Sequence, residues 1–212
     1  MSNDWHYGRP ELAKQYAARL QDKLFSRIAL IGSRRIGKTA FILNDLAPEL
    51  IAQGCLPVYI SLWSDRSAPH MEFIAKFEAA IDAIKNKTPL SALMLTEVTK
   101  LSLGNSLLGK VDMEFKNTQA ENNNLLLIRS LLSQLIGLSK GKGAKGKRVI
   151  LLLDEIQHLL TDKAFGDFQY ALRTMLDEVG DSIGVLYTGS SRSGMSAMFA
   201  NKDLPFYHSA QP

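Results

Sequence analysis

The residues that could do chemistry begin with Gly32-Ser33-Arg34-Arg35-Ile36-Gly37-Lys38-Thr39, a Gly-x-x-x-x-Gly-Lys-Thr spacing. Glycines at these intervals let backbone N–H groups curl around an anion, and a helix starting near Gly37 adds the positive end of its dipole. Lys38 supplies a mobile charge for outer phosphates, and Thr39 offers a hydroxyl to a magnesium ion that also carries phosphate oxygens and water. Ser33, Ile36 and Ala40 complete the stretch expected to meet the ligand, with Arg34 and Arg35 making contacts from its rim. The apolar run Ile28 to Ile31 comes before it and Ala40 to Leu43 after it, so strand, tight loop and helix follow in that order. An ordinary glycine turn is the alternative, but it requires no such flanks. The chemistry implied is the binding of a nucleoside triphosphate, with ATP and Mg2+ as the expected ligands.

A second polar group fits the first. Val149 to Leu153 is a continuous apolar run, as in strands buried on both faces of a parallel sheet, and it ends in Asp154-Glu155. Ligands of such sheets lie at the carboxyl ends of the strands. Asp154 should therefore emerge beside the glycine loop and share the magnesium with Thr39. Glu155 is placed to polarise an attacking water. The competing reading has both carboxylates capping a helix that starts near Ile156.

These groups need a scaffold, and the hydrophobic pattern supplies one. A helix is expected from Pro10 to Leu24, a strand at Arg27 to Ile31, the loop's helix from Thr39 to Gln53, and a strand from Leu56 to Leu62. A long amphipathic helix begins at Pro69. The pattern loosens between 86 and 124, where Leu90 to Leu101 reads as a helix and Leu107 to Phe115 as a strand or hairpin; this is an expected insertion. Helical spacing resumes at Leu125, followed by the strand at Val149, a helix carrying Phe165 to Val179, and a strand from Ile183 to Tyr187. Alternating strands and helices imply a three-layer α/β fold, a mostly parallel sheet with helices on both faces, in one domain spanning 1–212.

Composition sets bounds on function. With 212 residues, 46% hydrophobic and 22% charged, the chain can bury a full core. No apolar run approaches the ~20 residues of a membrane helix, and the start has no signal-like core, so a cytoplasmic location is expected. Cys55 is single, and the four histidines share no ligand spacing, so neither a disulfide nor a zinc site is expected. The net charge of +4 resides in the loop at 140–148, which holds Lys140, Lys142, Lys145, Lys147 and Arg148 and no acid. A solvated connection is the favoured reading of that loop, and a nucleic-acid contact the weaker one, since no aromatics are interleaved for stacking.

The motifs GSRRIGKT, LLLDEIQ (Leu151 to Gln157), YTGSSRSGM (Tyr187 to Met195) and HYGRPE (His6 to Glu11) together resemble the AAA-like and STAND-type P-loop ATPases of the bacterial and archaeal group, whose sheet is of the additional-strand type. The resemblance implies that Tyr7, Gly8 and Arg9 line the base and sugar side of the nucleotide, although Pro10 stands where the family usually has Glu. It also implies a phosphate-sensing polar residue after the last strand, for which Thr188, Ser190 and Arg192 are the candidates. Members of the group continue into a helical lid, whereas only 24 residues follow Thr188 here. A nucleotide module matching the front of a longer protein is expected, acting on a protein partner or through self-association. Three functions compete: an ATPase that turns over, a switch that holds ATP or ADP with little hydrolysis, and a DNA-associated loader.

Overall fold

The computed structural model describes residues 6–24, 26–103, 118–141 and 147–210. Four strands form one sheet: β1 (Arg27–Ile31), β2 (Leu56–Ser61), β3 (Val149–Asp154) and β4 (Ile183–Gly189), in the order β1-β4-β3-β2. Every pairing is parallel, with Ala29 beside Tyr187, Leu153 beside Tyr187, and Ser61 beside Asp154. All four strands lie where their apolar runs predict them. β4 separates the strand that enters the glycine loop from the strand that ends in Asp154, in keeping with the additional-strand type that the resemblance implies.

Alternation along the strands divides the core into two layers. Ile28, Tyr59, Ile150, Leu152 and Leu186 pack on one face with α1 (Pro10–Gln21), α2 (Lys38–Phe41) and α3 (Ala47–Ala52). Val58, Ile60, Leu151, Leu153, Val185 and Tyr187 face the opposite layer of α4 (Pro69–Lys85), α6 (Thr118–Lys140), α7 (Gly166–Val179) and α8 (Arg192–Ala200). The helix α5 (Leu90–Leu103) lies within the expected insertion. It buries Leu90 and Met94, and Glu97 reaches Lys76 of α4 at 2.6 Å. The strand or hairpin expected at Leu107 to Phe115 lies outside the described residues.

Several boundaries differ from the sequence reading. α1 stops at Gln21, where Asp22 turns the chain by accepting from the N–H of Leu24 at 2.7 Å. The helix after the glycine loop is not continuous: Ile42–Leu46 is a π-helical turn between α2 and α3. Pro48 explains the interruption, because it has no N–H and its ring crowds the carbonyl four residues back, and a π turn relieves both. After Glu155 the chain forms a 3-10 turn, Ile156–Leu160, instead of an α-helix. α8 occupies a serine- and glycine-rich stretch that did not read as a helix. It starts at Ser191, whose side chain accepts from the N–H of Gly194 at 3.0 Å, and it buries Met195 and Met198. The following tail is made of turns but is anchored, since Phe206 is fully buried against Tyr187 with ring centroids 5.9 Å apart.

Candidate nucleotide-binding site

The glycine loop leaves β1 at the carboxyl edge of the sheet, where the N–H of Gly32 donates to the carbonyl of Gly189 at 3.3 Å. Arg35 and Gly37 both adopt left-handed backbone, with φ of 62° and 85°. At Gly37 the sequence choice is forced twice, because a Cβ there would also stand 2.9 Å from Nη2 of Arg9. Lys38 is only 7% exposed, and its ammonium donates to the carbonyls of Gly32 at 2.7 Å and Ser33 at 3.0 Å. The charge expected to face phosphate is thus held by its own loop.

Asp154 ends β3 as the register predicts and is 2% exposed. Three hydroxyls converge on it. Thr39 donates to Oδ2 at 2.7 Å, Tyr59 of β2 donates to the same oxygen at 3.0 Å, and Thr188 of β4 donates to Oδ1. Burial, followed by the neighbouring Asp154 carboxylate, pushes the Tyr59 phenol well above its ordinary pKa, so it is a permanent donor. A threonine hydroxyl and a carboxylate oxygen side by side are hard oxygen ligands suited to magnesium, which takes one or two protein groups and fills its octahedron with phosphate oxygens and water. Among the described residues no cluster of three His, Cys, Asp or Glu could hold a metal without such help.

Glu155 has hydrogen-bond partners of its own, Ser190 and Gln157. Its backbone is left-handed, with φ of 58° and ψ of 44°. Oε2 accepts from the hydroxyl of Ser190 at 2.7 Å, from the N–H of Ser190 at 3.3 Å, and from the amide of Gln157. The three sensing candidates therefore part company. Thr188 is buried on Asp154, Ser190 is bonded to Glu155, and Arg192 stands exposed at the start of α8 with no hydrogen bond or ion pair to the described residues.

The segment before α1 folds against the loop. The N–H of Arg9 donates to Oδ2 of Asp45 at 3.2 Å, while Oδ1 of Asp45 meets Nε2 of His6 at 3.0 Å. The Arg9 guanidinium reaches back to the carbonyl of Gly37 at 3.1 Å and lies over the ring of Phe41. Gly8 approaches the same aspartate, and an added Cβ would be 3.7 Å from Oδ1 of Asp45. His6, Tyr7, Arg9, Arg35, Ile36, Gly37 and Ala40 enclose an open recess of about 380 Å³, within the range of small-ligand sites. Arg34 instead stacks on Trp63, which Arg66 covers as well, with distances of 4.7 and 4.2 Å to the ring centroid.

The sequence did not single out Tyr59, Gln157, Asp45 or Trp63. Tyr59 was legible in principle, as a polar-tipped residue near the end of a parallel strand. The others depend on folding that no local pattern shows. Of the basic loop, Arg148 donates to the carbonyl of Ile183 at 3.1 Å, at the amino edge of the sheet and so at the opposite end from the glycine loop. Lys142 and Lys145 lie outside the described residues. Cys55 is buried, and burial pushes its thiol pKa up. No described helix is long and apolar enough to cross a membrane.

The fold, rather than the site, is what a comparison with solved structures reaches. The Walker-type ATPase PABY2304 of Pyrococcus abyssi superposes with a TM-score of 0.51 at 17% identity, over 92% of this chain and 50% of that one. The fold is that of the P-loop nucleoside triphosphatases. The ORC2 protein of Aeropyrum pernix, solved in ADPNP–ADP complexes, gives a TM-score of 0.49 at 17% identity, over 94% of this chain and 47% of that one. The chain spans about half the length of these structures. No protein-family model and no curated protein matches the sequence.

Proposed function

We propose that the chain is a module that binds ATP with magnesium and hydrolyses it, using the energy to change shape or assembly in a larger protein or with a protein partner. One observation carries the reading: the hydroxyl of Thr39, in the glycine loop, stands 2.7 Å from the carboxylate of Asp154, at the end of β3. That pairing fits the protein half of a magnesium site at the mouth of a phosphate loop. The loop's N–H groups and Lys38 would hold the phosphates, with Lys38 exchanging two carbonyl partners for charged oxygens. The recess at Tyr7, Gly8 and Arg9 would take the base and sugar. When bound, magnesium would neutralise charge on the outer phosphates. Glu155, next to Asp154, is the group we assign to accept a proton from the attacking water.

Hydrolysis is preferred over a passive switch because the carboxylate following Asp154 is held by its own set of donors. A residue that merely capped the following turn would not need them, and Glu155 makes no side-chain cap. The test compares two substitutions. Asp154→Ala should weaken magnesium-dependent ATP binding in calorimetry, whereas Glu155→Gln should keep ATP bound and lower steady-state phosphate release by 10²-fold or more, the usual share of a general base. Undiminished turnover by Glu155→Gln would leave the switch as the better reading.

A further inference from the structure

Gln157 belongs neither to the phosphate loop nor to the metal pair, yet it is buried and built into the site. It lies on the 3-10 turn after Glu155, in a slot between the end of β4 and the first turn of α8. A Cβ at Gly189 would collide with Oε1 of Gln157 and with Sδ of Met195, and one at Gly194 would stand 3.1 Å from Cγ of Gln157. Two glycines thus clear space for this side chain. Its Nε2 donates to Oε2 of Glu155 and lies 3.5 Å from the Ser190 hydroxyl, which donates to the same oxygen. Its Oε1 is buried with no partner among the described residues.

An unpaired buried carbonyl weakens the fold, and an apolar side chain of equal volume would fill the slot without it. Stability therefore does not account for a glutamine here. What the amide adds is a further donor to one oxygen of Glu155. That oxygen accepts three hydrogen bonds, while Oε1 of Glu155 accepts none among the described residues.

We infer that Gln157 is a positioning residue for Glu155: together with Ser190 it clamps Oε2, so that Oε1 is the oxygen presented to the attacking water. In the reaction, the water's proton would pass to Oε1 as its oxygen bonds to the γ-phosphorus and the bond to the ADP oxygen breaks. The inference rests on the proposed role of Glu155. The clamp also explains how a carboxylate on a left-handed residue keeps one orientation, since its side chain is tied to the loop after β4.

Gln157→Met in the full chain keeps side-chain length and removes the donor. The kcat for ATP should fall about tenfold, because a mispositioned catalytic group loses rate steeply, while KM and calorimetric affinity for magnesium-ATP stay within about twofold. Ser190→Ala should lower kcat in the same way, and Ser190→Thr, which retains a hydroxyl, should restore it. This second pair keeps the test decisive if the methionine variant fails to fold. Wild-type turnover in Gln157→Met, or a loss of affinity in proportion to the loss of rate, would overturn the clamp. Glu155→Gln measured in parallel separates the two failures. If it slows turnover and Gln157→Met does not, only the clamp is wrong; if neither slows turnover, the base assignment falls first.

Discussion

Thr188→Val tests how the acidic strand is held in place. Thr188 is fully buried, and its hydroxyl is the only donor to Oδ1 of Asp154 among the described residues, whereas Oδ2 has both Thr39 and Tyr59. Valine nearly matches threonine in volume, so no cavity complicates the result. What is lost is a hydrogen bond to a buried carboxylate, worth ~1.5–3 kcal/mol, with no water to replace it. Tyr59→Phe removes one of two donors on the other oxygen and should cost less, ~0.5–1.5 kcal/mol. For a chain of this size each kcal/mol moves the midpoint by about 2–4 °C, so Thr188→Val should melt roughly 3–12 °C lower. Urea unfolding with unchanged m-value would confirm that the native state alone is affected. If Thr188→Val proves as stable as wild type, or more stable than Tyr59→Phe, Asp154 does not depend on β4 and its convergent hydroxyls are incidental.

Two further outcomes are expected. Lys38→Ala should reduce ATP affinity at least tenfold by calorimetric titration, since charge-assisted contacts to phosphate are worth ~1.5–3 kcal/mol; equal affinity would remove the glycine loop as the site. Stability should also fall in alkali. Burial holds the phenols of Tyr59 and Tyr187 above their ordinary pKa, so the unfolded chain releases those protons first. The associated stability is complete below about pH 10 and declines as pH rises beyond it, and Tyr187→Phe should flatten the decline in urea midpoints recorded from about pH 8 to 11.

The sheet and the phosphate loop were legible because each is written locally. A strand buried on both faces is an unbroken apolar run, and the loop's backbone depends on glycines at fixed intervals. Asp154 was legible for the same reason, as the first charge after such a run. The α8 helix was missed because Ser190, Ser191, Ser193 and Gly194 suggest a loop; the Ser191 cap and the spacing of Met195 and Met198 carried the signal. The π turn was missed because only its cause, Pro48, is visible in the chain. The bond from Ser190 to Glu155 could not be read at all, since Ser190 approaches it only when β4 lies beside β3. Long-range side-chain hydrogen bonds leave no periodic trace.

The strand order has a consequence for the way the molecule must form. β2 and β3 can zip together while β1 stays alone, because β1's one neighbour is β4, and Arg27 finds its place beside Val185 near the far end of the sequence. Contacts of such separation form late, after the entropy of closing the long intervening chain has been overcome. On the ribosome, the glycine loop would thus wait, unanchored at Gly32, until Gly189 has been made. Competence to grip a nucleotide would arrive in a single late step, and a nascent chain stopped short of β4 would carry the motif without the site.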